Sequence, residues 1–338
     1  MRLRVACLTV ALFLSGGAAA DEVVLRNGDR ISGEIASKSA DVVVVRTDYA
    51  GEVSIQWREI ATLSTTRAVD VLIRGEAEPV RGTLQPLYGG GALLIDAQGK
   101  ARRVTLAQIA YLNPEAHHIE GRVAYSGRGT LAANYARGNV DSERFYGEAE
   151  FNARAKRYRY ALNGRSERRT DPLLGTLTSW LTAANYDRFL REKDFVYARA
   201  SLEHDEAKSI EQRGTVGLGY GVQVFDSERL RLSLRAGLDY VAVDRIAAES
   251  DRYPAAGWGV RLDYAPWGPN IELFHEQEGF WNLENTDVVT LRSKTGIRLP
   301  LVAKLSATAQ VNVDWERSPP PPRGSTDKVL LLGVDYTW

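Results

Sequence analysis

The chain has 338 residues, of which 25% are charged and 44% apolar, and its 43 basic side chains are balanced by 43 acidic ones. That balance excludes a partner recruited by bulk charge, such as nucleic acid or an anionic surface, and the composition is that of a globular protein. A single cysteine, Cys7, excludes a disulfide framework.

Residues 1–20 read as a secretory signal peptide. Arg2 and Arg4 precede an apolar stretch from Val5 to Leu14, and small residues lead to Ala18, Ala19 and Ala20. The stretch is too short to cross about 30 Å of hydrocarbon as a helix. Cleavage before Asp21 removes Cys7 from the mature chain, and with it all thiol chemistry. No later apolar run reaches the length of a membrane helix. Transmembrane β-barrels escape that criterion, because their apolar surface is spread over alternate positions.

Residues 21–113 contain one unit written twice, at about 21–66 and 67–113. "VVLRNGDRISGEI" answers to "VDVLIRGEAEPVRGTL", with second-strand glycines at Gly33 and Gly82. Each copy continues into a hairpin turning at Gly51 or Gly99. Each closes on apolar residues three apart, Trp57, Ile60 and Leu63 in the first and Leu106, Ile109 and Leu112 in the second. Short, turn-punctuated strands predict two small β-barrels or one two-lobed β-domain. The segment "LRNGDRISGEI" resembles Sm-like and SH3-like small barrels. Behind a signal peptide and without an arginine–aromatic cluster, it predicts a periplasmic docking role and no nucleic-acid partner. His117 and His118 follow in residues 114–120, which read as a solvated linker and not as a metal site.

From Gly121 the texture changes to twelve segments of alternating apolar and polar residues. They lie at about 121–136, 144–155, 157–165, 179–190, 195–203, 210–224, 229–242, 254–264, 270–277, 288–299, 304–315 and 328–338. In the ninth, "NIELFHEQ", the apolar face is ambiguous. Every second connection is short, and the alternate ones, such as "SERRTDPLLGTLT" and "RSPPPPRGST", are longer. The expected fold is therefore all-β: a 12-stranded antiparallel transmembrane β-barrel over residues 121–338, preceded by the periplasmic duplicated small β-barrel-like domain. Tyr135, Tyr158, Trp180, Tyr264, Trp315, Tyr336 and Trp338 suit interfacial girdles. The final ribbon "KVLLLGVDYTW" is expected to close the barrel. Its last aromatics, Tyr336 and Trp338, resemble the signal read by the outer-membrane assembly machinery.

"NYARGNVD" (134–141), "YARASLEHD" (197–205) and "RGTVGLGYG" (213–221) resemble the motifs of the domain-of-unknown-function family numbered four-eight-one, which includes salt-stress-induced outer-membrane proteins. The resemblance covers residues 121–338. It implies an outer-membrane location and transfers no catalytic residue.

The polar face of the twelve segments supplies lumen-lining candidates: Arg128, Arg144, Glu148, Glu150, Arg154, Arg159, Arg199, Arg213, Arg231, Arg235, Asp239, Arg261, Asp263, Arg292, Lys294, Arg298, Asp314 and Asp335, joined by Glu203, Glu272 and Glu276. Two readings follow, cross-strand ion pairs filling a narrow lumen or the lining of a hydrated pore. A hydrolase would need a histidine base beside a nucleophile. His204, expected at an outer loop, and His275, expected toward the outer end of the ninth strand, are the only histidines placed for it. Neither has a completing motif. The sequence thus predicts a monomeric outer-membrane barrel without catalytic residues, cofactor or metal, in contact with lipid. Its role is envelope integrity or a narrow pore, against a rim-histidine enzyme or an anchored adaptor binding an envelope partner through residues 21–113.

Overall fold

Strand alternation organises nearly all of the chain. The computed structural model describes residues 20–338 except 40, 88–89, 137–141, 172–174, 228, 247–248, 268–270 and 319–323. The expected signal peptide before residue 20 and most of "NYARGNVD" lie outside the described residues. The chain divides after Pro114 into two units.

The first unit contains β1 (Asp21–Leu25), β2 (Arg30–Ser39), β3 (Val42–Thr47), β4 (Gly51–Gln56), β5 (Ile60–Ser64), β6 (Val69–Ile73), β7 (Val80–Pro86), β8 (Ala92–Asp96), β9 (Ala101–Val104) and β10 (Ile109–Leu112). The duplication is physical. β1 lies between β2 and β5 as β6 lies between β7 and β10, and a 3₁₀ turn precedes the last strand of each copy, at Trp57–Glu59 and Leu106–Gln108. Gly33 and Gly82 are equivalent too, since a Cβ on either would strike a main-chain carbonyl, that of Arg46 or Ile95. Each copy's last strand reaches into the other copy. Leu112 pairs with Lys38, and the Thr65 N–H donates to the Leu84 carbonyl at 2.9 Å. Equivalent residues also meet, with Trp57 Nε1 donating to the Leu106 carbonyl at 3.1 Å. The result is one ten-stranded sheet around one core, in which Val23, Ile60 and Leu63 pack with Leu84, Ile109 and Leu112. The unit is thus one sheet domain and not two separate barrels.

The second unit contains β11 (Val123–Ala136), β12 (Ser142–Ala155), β13 (Tyr158–Asp171), β14 (Gly175–Phe189), β15 (Asp194–Asp205), β16 (Ile210–Asp226), β17 (Leu230–Arg245), β18 (Asp251–Tyr264), β19 (Glu272–Asn282), β20 (Val289–Val302), β21 (Leu305–Glu316) and β22 (Thr326–Thr337). Each is antiparallel to the next, and β22 returns to β11 to close a twelve-stranded barrel. Closure leaves no open sheet edge, whose unpaired amides would cost several kcal/mol each in lipid. Residue Gly127 and Trp338 exchange two main-chain hydrogen bonds of 3.1 Å at the seam, and the indole lies on Gly127 where a Cβ would collide with it.

Leu131, Leu162, Leu202, Val216, Leu218, Leu238, Leu330 and Leu332 are exposed on the outer face. Exposed aromatics flank them. Tyr125, Tyr160, Tyr336 and Trp338 lie toward the near rim, where β11 begins and β22 ends, and Phe145, Trp180, Tyr240 and Trp281 toward the far rim. An apolar belt between two aromatic girdles on a closed antiparallel barrel is the build of an outer-membrane protein.

Two expectations need correction. "SERRTDPLLGTLT" is mostly strand, because β13 runs to Asp171 and β14 starts at Gly175, with pairing continued through Glu167–Ser179 to Asp171–Gly175. Beyond the bilayer both faces of a strand are wet, so the apolar alternation stops while the hydrogen-bond ladder does not. The segment expected to be a solvated linker is a packed 3₁₀ turn, Ala116–His118, lying against β11 and β12 with His117 and Ile119 buried.

Candidate functional site

Inward and outward faces follow from ion pairs that span the barrel. Lys294 on β20 reaches Glu148 (2.7 Å) and Glu150 (3.3 Å) on β12, and Arg261 on β18 reaches Glu150 at 3.2 Å. These strands are not neighbours, so the side chains meet through the interior. With period two, every charged candidate named from the sequence falls on that inner face. The ambiguous β19 is thereby settled. Glu272, Phe274, Glu276, Glu278 and Phe280 point in, while Leu273, His275, Gln277 and Trp281 point out.

The candidates gather at three levels. Near the near rim, Arg298 pairs with Asp335 (2.8 Å), Glu272 (2.8 Å) and Asp263 (3.9 Å), and Arg128 lies 3.8 Å from Glu272. At mid-height, Glu148, Glu150 and Glu276 share Lys294 and Arg261, while closer to the near rim Arg159 and Arg235 share Asp187 at 2.7 and 3.0 Å. Arg199, at mid-height, grips Asp239 through two nitrogens at 2.6 Å and reaches Glu278 at 2.7 Å. Toward the far rim, Glu203 is held between Arg213 and Arg292, Lys208 between Asp205 and Asp314, and Arg144 pairs with Glu167. Arg231 stands opposite Asp263 in the ladder, and Arg154 makes its described contact with a ring.

That ring belongs to a feature the sequence reading missed. Aromatics share the inner face with the charges, and four of them alternate with guanidinium groups. Arg154 lies 3.4 Å above Phe189. Arg159 lies 5.5 Å from Phe189 and 5.4 Å from Phe195, and Arg235 lies 5.4 Å from Phe195 and 5.5 Å from Tyr197. Arg199 continues the series between Tyr197 (5.9 Å) and Phe280 (4.7 Å), and Arg298 stacks separately on Phe274 at 3.7 Å. Each contact is worth roughly 0.5–2 kcal/mol and fixes the guanidinium plane. The rings lie flat because inward glycines receive them. A Cβ at Gly221 would strike Phe195, and one at Gly219 or Gly237 would strike Tyr197. The repeated glycines of "RGTVGLGYG" were the available signal, since Gly217, Gly219 and Gly221 all fall on the inner face.

Two interior cavities have charged walls. One of 270 Å³ at mid-height is bounded by Arg159, Arg165, Arg199, Arg235, Arg261, Glu276, Glu278, Arg292 and Lys294. Another of 220 Å³ toward the far rim is bounded by Arg144, Tyr146, Arg165, Glu167, Arg169, Lys208, Asp314 and Asp327. Arg165 borders both. The Lys294–Glu148 pair and Arg292, which binds Glu203, stand at the edge of the mid-height cavity.

The two histidines considered for chemistry lie elsewhere. His204, at the far end of β15, faces outward, stacks on Trp180 and bonds the Glu211 carbonyl through Nδ1 at 2.8 Å. His275 lies toward the near-rim end of β19, not the outer end expected, and bonds Thr295 Oγ1 at 2.7 Å on the outer face. They are on separate strands and neither forms an ion pair with a carboxylate among the described residues. Below the barrel wall, His117 Nδ1 lies 3.3 Å from Glu115. The hydrogen bond with His117 holds the Glu115 carboxyl down at about 2, and burial, reinforced by His117, pushes the His118 imidazole down to about 3.

A family profile described as "Protein of unknown function, DUF481" matches residues 129–338. No curated protein matches the chain. Similar solved structures include the translocator domain of autotransporter NalP from Neisseria meningitidis, at 13% identity over 63% of this chain and 87% of that one, with a TM-score of 0.35. NanC porin is similar at 9% identity over 63% and 99%, with a TM-score of 0.40. An outer membrane channel from Pseudomonas putida F1 is similar at 15% identity over 64% and 94%, with a TM-score of 0.39. Overlaps of this size assign no role.

Proposed function

The chain belongs to the DUF481 family, and on that premise we propose that its barrel is a narrow conduit for small polar solutes across the outer membrane. One observation carries this reading. Two charged cavities lie within the barrel, one at mid-height and one toward the far rim, and Arg165 borders both. An interior meant only to anchor the protein has no need of a polar cavity at mid-height. Parting a partly buried ion pair costs on the order of a few kcal/mol, so the path opens briefly rather than standing open. The duplicated N-terminal unit is assigned to the periplasm with the near rim.

Single-channel recording of the full-length protein in a planar bilayer tests the proposal. Small, flickering current steps are expected, lengthened in the open state by Glu148→Gln, which removes the shortest of the three ion pairs that hold Lys294. Electrical silence from protein that still shows the folded barrel's heat-dependent gel mobility would remove the conduit and leave the envelope-integrity role.

A further inference from the structure

The mid-height cavity has two unlike walls. On β13, β15 and β17 it presents Arg159, Arg165, Arg199 and Arg235. Asp187 and Asp239, which serve this wall, are 1% and 0% exposed and lie behind the guanidinium groups. Glu278 meets Arg199 across the cavity at 2.7 Å and leaves Arg159, Arg165 and Arg235 without a carboxylate in front. The opposite wall mixes Glu148, Glu276 and Glu278 with Arg261 and Lys294. The first wall is therefore cationic at its surface, although the barrel as a whole is balanced.

This surface is built in advance. Arg159, Arg199 and Arg235 are clamped between buried rings and buried carboxylates, so their in-plane donors are fixed and little side-chain entropy is lost on binding. Donor capacity is also left over. Arg159 Nη2 is buried without a hydrogen-bond partner in the described structure, and Arg165 forms no ion pair among the described residues. Asn163 and Asn185 line the same wall. A planar guanidinium fork matches a carboxylate best, by two parallel charge-assisted hydrogen bonds. We infer that the β13–β15–β17 wall is a binding site for a small organic carboxylate, with Arg165 and Arg159 as the receiving groups. The inference rests on the conduit reading for the ligand's route across the membrane, but binding itself needs only access to the cavity.

Calorimetric titration of the full-length protein in detergent with sodium succinate, in a buffer free of phosphate and other carboxylates, reads the site directly. Saturable binding is expected, weakened roughly tenfold by Arg165→Gln and unchanged by Arg168→Gln, on the outer face of the same strand. If Arg165→Gln does not fold, Asn163→Asp places a repelling carboxylate on the same wall and is expected to weaken binding likewise. No binding by the wild type, or equal binding by the folded variants, overturns the site even where current steps are seen. Binding of inorganic phosphate in place of succinate overturns the carboxylate assignment. Electrical silence with succinate binding intact overturns the conduit and leaves the site.

Discussion

The two units of this chain are written in the same alternating pattern and bury opposite faces of it. In the first, the apolar face turns inward, and Leu63 and Leu84 are fully buried. In the second it turns outward, and Leu218 and Leu131 are 69% and 75% exposed while Asp187 and Asp335 are each 1% exposed. Period-two alternation thus specifies a two-faced ribbon and leaves its solvent undecided. What separates the cases is closure. Ten strands of four to ten residues fold over a shared core, whereas twelve strands of eleven to seventeen residues seal into a cylinder around charged groups.

Matched substitutions break the comparison most sharply. Leu63→Ala is expected to cost about 2–5 kcal/mol of the first unit's stability, read by urea unfolding, with the barrel's gel mobility unchanged. Leu218→Arg should do the reverse, costing about 2–4 kcal/mol at a belt position when unfolding is followed in lipid vesicles. A smaller effect belongs to the inner face. Gly221→Val drives a side chain into Phe195, and overpacking of that kind costs about 1–3 kcal/mol. The barrel should melt earlier in lipid, and Gly214→Val, on the outer face of the same strand, should not match it.

The smallest effect sharpens the boundary between the units. The packed Ala116–His118 turn belongs with the barrel, and acid should loosen it. Released, His118 takes up its proton near 6.5, whereas packed it does so near 3. The released form therefore binds more protons between those values, and packing is fully supported above about pH 6.5 and weakens as the pH falls toward 3. Glu115, held at about 2 instead of 4.5, adds a contribution present above about pH 4.5 and lost toward 2. The imidazole resonances of His118 should titrate well below pH 6, and a midpoint near 6.5 would show the turn to be solvated.

The number and order of the barrel strands were legible because lipid demands an apolar side chain at every second position. The duplication was legible because Gly33 and Gly82, like Trp57 and Leu106, recur at one spacing. Three things were not. The upper parts of β13 and β14 have no lipid on one side, so their sequence alternates nothing apolar. The packing of His117 depends on contacts with β11 and β12 that residue types do not announce. Phe189, Phe195 and Tyr197 were hidden by their chemistry, since an aromatic in a barrel strand suggests the lipid boundary. Only their shared parity with Arg199 and Asp187 gives them away.

The seam deserves a mechanical reading. β11 and β22 pair along Arg128–Ala133 and Leu332–Thr337, whereas β11 and β12 pair from Val123 to Ala136. Past Ala133, the side-chain amide of Asn134 reaches the Leu330 carbonyl at 3.1 Å, standing in for a missing rung. A hoop under tension parts at its shortest overlap, so force applied to this cylinder would split it between the first stave and the last, and Asn134 is the stitch that would give way first.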